Sequence, residues 1–66
     1  MNIEQKRKEK KLTQRELAEV CNTNQNNISR YEKGERMPNL MMAKSLAKAL
    51  DCTVDELLKD DDDDEK

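Results

Sequence analysis

Gly34 and Pro38 are the only glycine and the only proline in a chain of 66 residues, and they stand four positions apart. Everywhere else the chain lacks the two residues that most strongly interrupt regular structure. No stretch alternates apolar and polar in the strand pattern, and β-branched residues are scarce. These features predict an all-α fold with one sharp bend at 34–38. The length allows a single domain. A chain this short buries only about 60% of its unfolded surface, so small domains of this size often need a metal, disulfides or a partner. Here there are two cysteines and no histidine. A zinc site needs four ligands at close spacing, and Cys21 and Cys52 stand alone. They are expected as two reduced thiols that behave as small apolar residues, with no metal and no cofactor. No signal peptide is read at the start, so the expected location is cytoplasmic. No apolar run approaches the roughly 18 residues of a membrane helix, so no membrane partner is expected.

Charge is abundant, at 42% of residues, and the formal net charge is −2. That value argues against a nucleic acid partner until it is divided. Residues 1–59 hold twelve Lys/Arg against nine Asp/Glu, a net +3. Residues 60–66 hold six acids, Asp60 to Glu65, and Lys66, a net −5. A block of like charge repels itself, so 60–66 is expected to be a disordered acidic tail and 1–59 the folded, mildly basic part. The tail reads plainly as a solubility feature. The sharper alternative is an internal competitor for DNA phosphates.

Five short helices follow from the breaks. Helix 1, about 2–10, has Ile3 as the only true apolar residue on the face Ile3, Lys6, Arg7, Lys10, so long cationic stems must cover what it packs on. Thr13 and Glu16 have the T-x-x-E spacing of a capping box and open helix 2, whose stripe is Leu17, Ala18 and Cys21. Asn22 can adopt the left-handed conformation that stops a helix. Asn24 is the expected N-cap of helix 3, which turns Ile28 and Tyr31 inward and ends at Gly34. Asn39 caps helix 4, with Leu40, Ala43, Leu46, Ala47 and Leu50 along one face. Thr53 and Glu56 repeat the capping box and open helix 5, through Leu58.

One stretch looks chosen for something other than stability. Five of the six residues from Asn22 to Asn27 carry a side-chain amide: Asn22, Asn24, Gln25, Asn26 and Asn27. Asn is a poor helix former, and a helix built for stability takes Glu, Lys or Ala at such positions. An amide offers a donor beside an acceptor, which matches the N6/N7 edge of adenine in the major groove. Arg30, further along, matches guanine O6/N7. A polar loop or a solvated helix face is the plain alternative. The setting favours the first reading: Gln14–Cys21, a break at Asn22–Asn24 and Gln25–Lys33 have the lengths of a helix-turn-helix, whose second helix enters the groove.

The run LTQRELAEVCNTNQNNISRYEKGERMPNL resembles the lambda-repressor-like, Cro/cI-type (XRE) helix-turn-helix family. The resemblance continues through AKSLAKALDCTVDELL and so covers about 3–58. It implies a compact bundle of five short helices and a regulator, most often a repressor, that binds operator DNA as a dimer. Carried over by position, Gln25, Asn26, Asn27 and Arg30 are implied base contacts. Gln14, Asn24, Lys33 and Arg36 are implied contacts to phosphates, which fix register without specifying sequence. Arg7 and Glu32 are implied to form a partly buried ion pair. The chain departs from the family pattern at Asn22 and Lys11, where glycine is usual, and at Thr23, Lys6, Lys44, Met41 and Met42.

No catalytic set is present: histidine is absent, Ser and Thr lack a partnered base, and so small a chain has no cleft for its carboxylates. The expected activity is non-enzymatic, sequence-specific binding to double-stranded DNA. Two copies on a palindromic operator would read half-sites about 34 Å apart. Helix 5, through Leu57 and Leu58, is the candidate homodimer interface, with a core role the plain alternative for Leu57. The rival reading is an antitoxin or adaptor module whose main partner is a protein. The acidic tail and low net basicity favour that rival, whereas the amide cluster and Arg30 favour DNA.

Overall fold

The computed structural model describes residues 1–58, in which every regular element is helical: α1 Ile3–Glu9, α2 Gln14–Val20, α3 Gln25–Lys33, α4 Leu40–Ala49 and α5 Val54–Leu58. The expected acidic tail, and Lys59 before it, lie outside the described residues. Helix ends fall within about one residue of their expected places.

Local chemistry sets where each helix starts. At α2 the Thr13 hydroxyl accepts from the Glu16 backbone N–H at 3.0 Å, and the Glu16 carboxylate accepts from the Thr13 N–H at 2.9 Å. The same reciprocal pair opens α5, between Thr53 and Glu56, at 3.0 and 3.1 Å. Asn24 caps α3 by accepting from Asn27 N–H at 2.9 Å, and Asn39 caps α4 by accepting from Met42 N–H at 2.8 Å. Each such bond satisfies a backbone donor that a helix start leaves unpaired.

The four longer helices all stop in the same way. A residue with left-handed backbone follows each one: Lys11, Asn22 and Asp51 at φ 59°, and Gly34 at φ 78°. The next N–H then reaches back to the last turn, as in Leu12→Arg7 O, Thr23→Ala18 O, Glu35→Arg30 O and Cys52→Ala47 O. This is the Schellman ending, in which glycine is the usual left-handed residue. Only α3 uses glycine. The other three ends place a side-chain-bearing residue where glycine is easier, at a cost of about 1 kcal/mol each.

Every helix contributes to one core. Six large side chains are sealed from solvent: Ile3, Leu17, Ile28, Leu46, Leu50 and Leu57. Tyr31, Cys21, Ala18 and Ala47 fill between them, and Leu12, Met42 and Cys52 pack on its edge. Burial pushes the Cys21 thiol above its ordinary pKa of 9.0, consistent with an inert core residue. The backbone N–H of Asn2 donates to Leu57 O at 3.2 Å, so the two ends of the bundle meet.

Two expectations are corrected. Leu40 is 65% exposed. It lies in the first turn of α4, beyond the edge of the core, and half-buried Met42 packs there instead. Leu57 is fully buried against the other helices, so it cannot serve as a dimer contact; Leu58, 45% exposed, is the large apolar residue that α5 leaves open to solvent.

Candidate nucleic-acid interface

α3 turns two residues inward, Ile28 and Tyr31, and these fix its rotation. At 100° per residue, Gln25, Asn26, Ser29, Arg30 and Lys33 then share the opposite side. Gln25, Asn26, Arg30 and Lys33 are exposed, and Ser29 between them is half-buried. The helix is nine residues long, about 13 Å, and with side chains about 10–12 Å wide, which matches a major groove about 12 Å across.

Behind this surface runs a chain of side-chain hydrogen bonds. Arg7 Nε donates to Glu32 Oε2 at 2.6 Å, and Arg7 Nη1 donates to Leu12 O at 2.7 Å. The two charged side chains retain only 11% and 5% of their exposure, so the ion pair implied by the resemblance is formed and largely buried. Glu32 Oε1 also accepts from Gln14 Nε2 at 2.9 Å, and Gln14 Oε1 accepts from Gln25 Nε2 at 3.3 Å. The series Arg7, Glu32, Gln14, Gln25 therefore ties α1, α2 and α3 together and ends on the exposed face. Its polarity is fixed. Ionised Glu32 can only accept, so Gln14 must turn its NH2 towards Glu32 and its oxygen towards Gln25. Gln25 must answer with its NH2. One N–H and the carbonyl oxygen of Gln25 remain for an outside partner.

The other candidates divide by surroundings. Asn26 and Arg30 are exposed on the α3 face, and Lys33 and Arg36 are exposed at and beyond its C-terminal end. Gln14 is half-buried behind Gln25, where it orients that side chain. Asn24 is exposed but its oxygen is engaged as the N-cap. Asn27 is half-buried, and its amide donates to Thr23 Oγ1 at 2.9 Å, which holds it against the elbow between α2 and α3.

Two residues join the surface that residue type alone had not singled out. Ser29 lies in the middle of the α3 face, where the helical periodicity would have placed it. Arg15 is exposed, has no carboxylate partner among the described residues, and lines one groove with Thr23, Asn24 and Gln25 at the elbow. Its position one residue after Gln14 was the available signal. Among the described residues no cluster of acids and cysteines is arranged to hold a metal, and no helix is long and apolar enough to cross a membrane.

Comparison with known proteins gives a consistent set. A helix-turn-helix family model matches residues 3–57. Multiprotein-bridging factor 1 of Candida albicans is 48% identical over 48 residues, 73% of this chain and 32% of that protein. The HTH-type transcriptional activator BcrR of Enterococcus faecalis is 39% identical over 56 residues, 85% of this chain and 28% of that protein. Multiprotein-bridging factor 1 of Debaryomyces hansenii is 46% identical over 48 residues, 73% of this chain and 32% of that protein. The chain thus spans about a third of the length of the curated relatives it matches. No solved structure is matched significantly.

Proposed function

This chain belongs to the XRE-type helix-turn-helix family, and from that premise we propose that it is a sequence-specific DNA-binding transcriptional regulator reading the major groove with α3. The observation that carries the proposal is the outward face of α3, amide-rich and cationic, with Gln25 held in a fixed orientation by the relay from Arg7. Pre-ordering matters because a free glutamine side chain loses rotamer entropy on binding, and the relay removes part of that cost before DNA arrives.

In this reading Gln25 and Asn26 meet base edges, adenine being the best match for an amide, and Arg30 meets guanine or a phosphate beside it. Ser29 contributes a hydroxyl in the centre of the face. Asn27 braces the elbow and offers its remaining oxygen and N–H to the nearest base or phosphate. Asn24, Lys33, Arg36 and Arg15 contact the sugar–phosphate backbone and set register. Gln14 acts mainly through Gln25. Two copies on a palindromic operator would double the contact set, with Leu58 and its surroundings available between them. Regulation then follows from occupancy: bound over a promoter, the module represses.

A selection of bound duplexes from a random pool tests this. The reading expects an enriched half-site that Gln25→Ala degrades at one position. Absence of any enriched sequence at low salt would remove it.

A second reading is favoured by one observation: two of the relatives are named multiprotein-bridging factors. In that reading a protein partner is the main ligand and DNA binding is secondary. Capture of a protein partner by a chain that selects no DNA sequence would favour it.

A further inference from the structure

From Arg36 to Leu50 the chain carries Arg36, Lys44 and Lys48 and no Asp or Glu, although acids outnumber bases 15 to 13 over the whole chain. The same stretch holds Met37, Leu40 and Met41, which are 65%, 65% and 76% exposed. Another open apolar residue, Val20 of α2, 63% exposed, lines a groove with Ser45, Lys48 and Ala49 of α4.

Those on α4 lie on one strip that ends at the Val20 groove. By helical periodicity Met41, Lys44, Ser45 and Lys48 share a side of α4; Leu40 falls on the buried side's spacing but is open in the first turn, and all five are exposed. Ala43, Leu46 and Ala47 take the buried side. The strip is apolar at the start of α4, positive along its middle, and ends in the Val20 groove. Lys44 and Lys48 have no carboxylate partner among the described residues. Leucine and methionine left open to water give up transfer free energy that burial would recover, and methionine adapts readily to a partner's shape.

We propose that this face of α4 binds an acidic amphipathic segment of a partner protein. Apolar residues at helical spacing seat on Met37, Leu40 and Met41 and in the Val20 groove, while Asp or Glu side chains meet Lys44 and Lys48. The charge pattern selects this occupant: the stretch 36–50 holds three cations and no acid, so this side of α4 repels a basic segment and attracts an acidic one. Leu40, Met41, Lys44 and Lys48 have no role in the DNA reading above, so this inference stands or falls separately.

The test uses the full chain and a fluorescein-labelled synthetic peptide with leucines at i, i+3, i+4 and i+7 and glutamates between them. Anisotropy measures binding, and amide shift mapping locates it. The expected result is saturable binding with shifts concentrated in residues 37–48. Lys44→Gln with Lys48→Gln, and separately Met41→Ser, should each weaken it about tenfold or more while thermal melting holds and, for Met41→Ser, DNA affinity is unchanged. A control peptide with serines for the leucines should bind about tenfold more weakly. Absence of saturable binding, equal binding of the serine peptide, or shifts confined to α3 would overturn the proposal. So would sedimentation showing a dimer that Met41→Ser dissolves, because a second copy would then be the occupant.

Discussion

In the proposed reading Gln25 discriminates between bases because three other residues, Arg7, Glu32 and Gln14, decide which way its amide points. The carboxylate of Glu32 accepts from Gln14, and Gln14 accepts from Gln25, so the exposed end of the chain is set by a buried charge. Replacing Gln25 by Ala should cost about 1–3 kcal/mol of DNA affinity and relax one operator position. Arg36→Ala should instead weaken all sequences alike and lower the salt slope by about 1. Binding titrations on matched and mismatched duplexes at several salt concentrations separate the two outcomes. Glu32→Ala removes one partner of a largely buried pair and leaves Arg7 stranded; a loss of about 3–5 kcal/mol is expected, read as a fall in melting temperature of more than about 10 °C. Melting within a degree or two of the parent would show that the pair contributes little. The Cys21 thiol gives a pH dependence of defined sign. Burial raises its pKa above the unfolded 9.0, so the folded state favours the neutral thiol. That contribution is fully present below pH 9.0 and is lost as pH rises beyond it. Urea unfolding at about pH 8 and about pH 10 should therefore show a smaller alkaline loss in Cys21→Ala than in the parent.

At the scale of the helices, the endings are where the fold can be improved. Lys11 holds a left-handed conformation at φ 59° with its side chain in solvent. Lys11→Gly should raise stability by about 0.5–1 kcal/mol, measured by chemical denaturation, and Lys11→Pro should abolish the ending. The cap of α3 allows a cleaner separation of structure from function. Asp caps a helix as well as Asn does, so Asn24→Asp should keep the melting temperature and yet weaken DNA binding, because it sets a carboxylate beside phosphates. The helix starts, the stop at Gly34 and the inward residues of α2 and α3 were legible in the sequence, because capping boxes, glycine and 3.6-residue spacing act locally. Other features were not. The left-handed backbone at Lys11 and Asp51 has no glycine to mark it, although those helices end where the sequence placed their breaks. Leu40 continues the apolar spacing of α4, but the helix there overhangs the core, which only the packing of the whole bundle decides. The Arg7–Glu32 pair came through resemblance, while the extension through Gln14 to Gln25 depends on side-chain directions that spacing does not encode.

For the whole molecule, one small core supports everything above. Leu57, at the far end of the chain from Leu17 and Ile28, is sealed within it. Leu57→Ala should cost about 2–5 kcal/mol, a large part of the stability of so small a domain, whereas a change at half-exposed Leu58 should leave melting almost unmoved. The DNA reading also gives the acid block at 60–66, net −5, a definite effect. Neutralising it should tighten DNA binding at low salt, with the difference closing as salt rises. The central claim, that the outward face of α3 reads sequence, is tested most directly by selecting duplexes from a random pool with the parent chain and with Gln25→Ala in parallel. The account predicts an enriched half-site for the parent and the same site with one position relaxed for the variant. Identical selected sequences for both, or none for the parent at low salt, would contradict it.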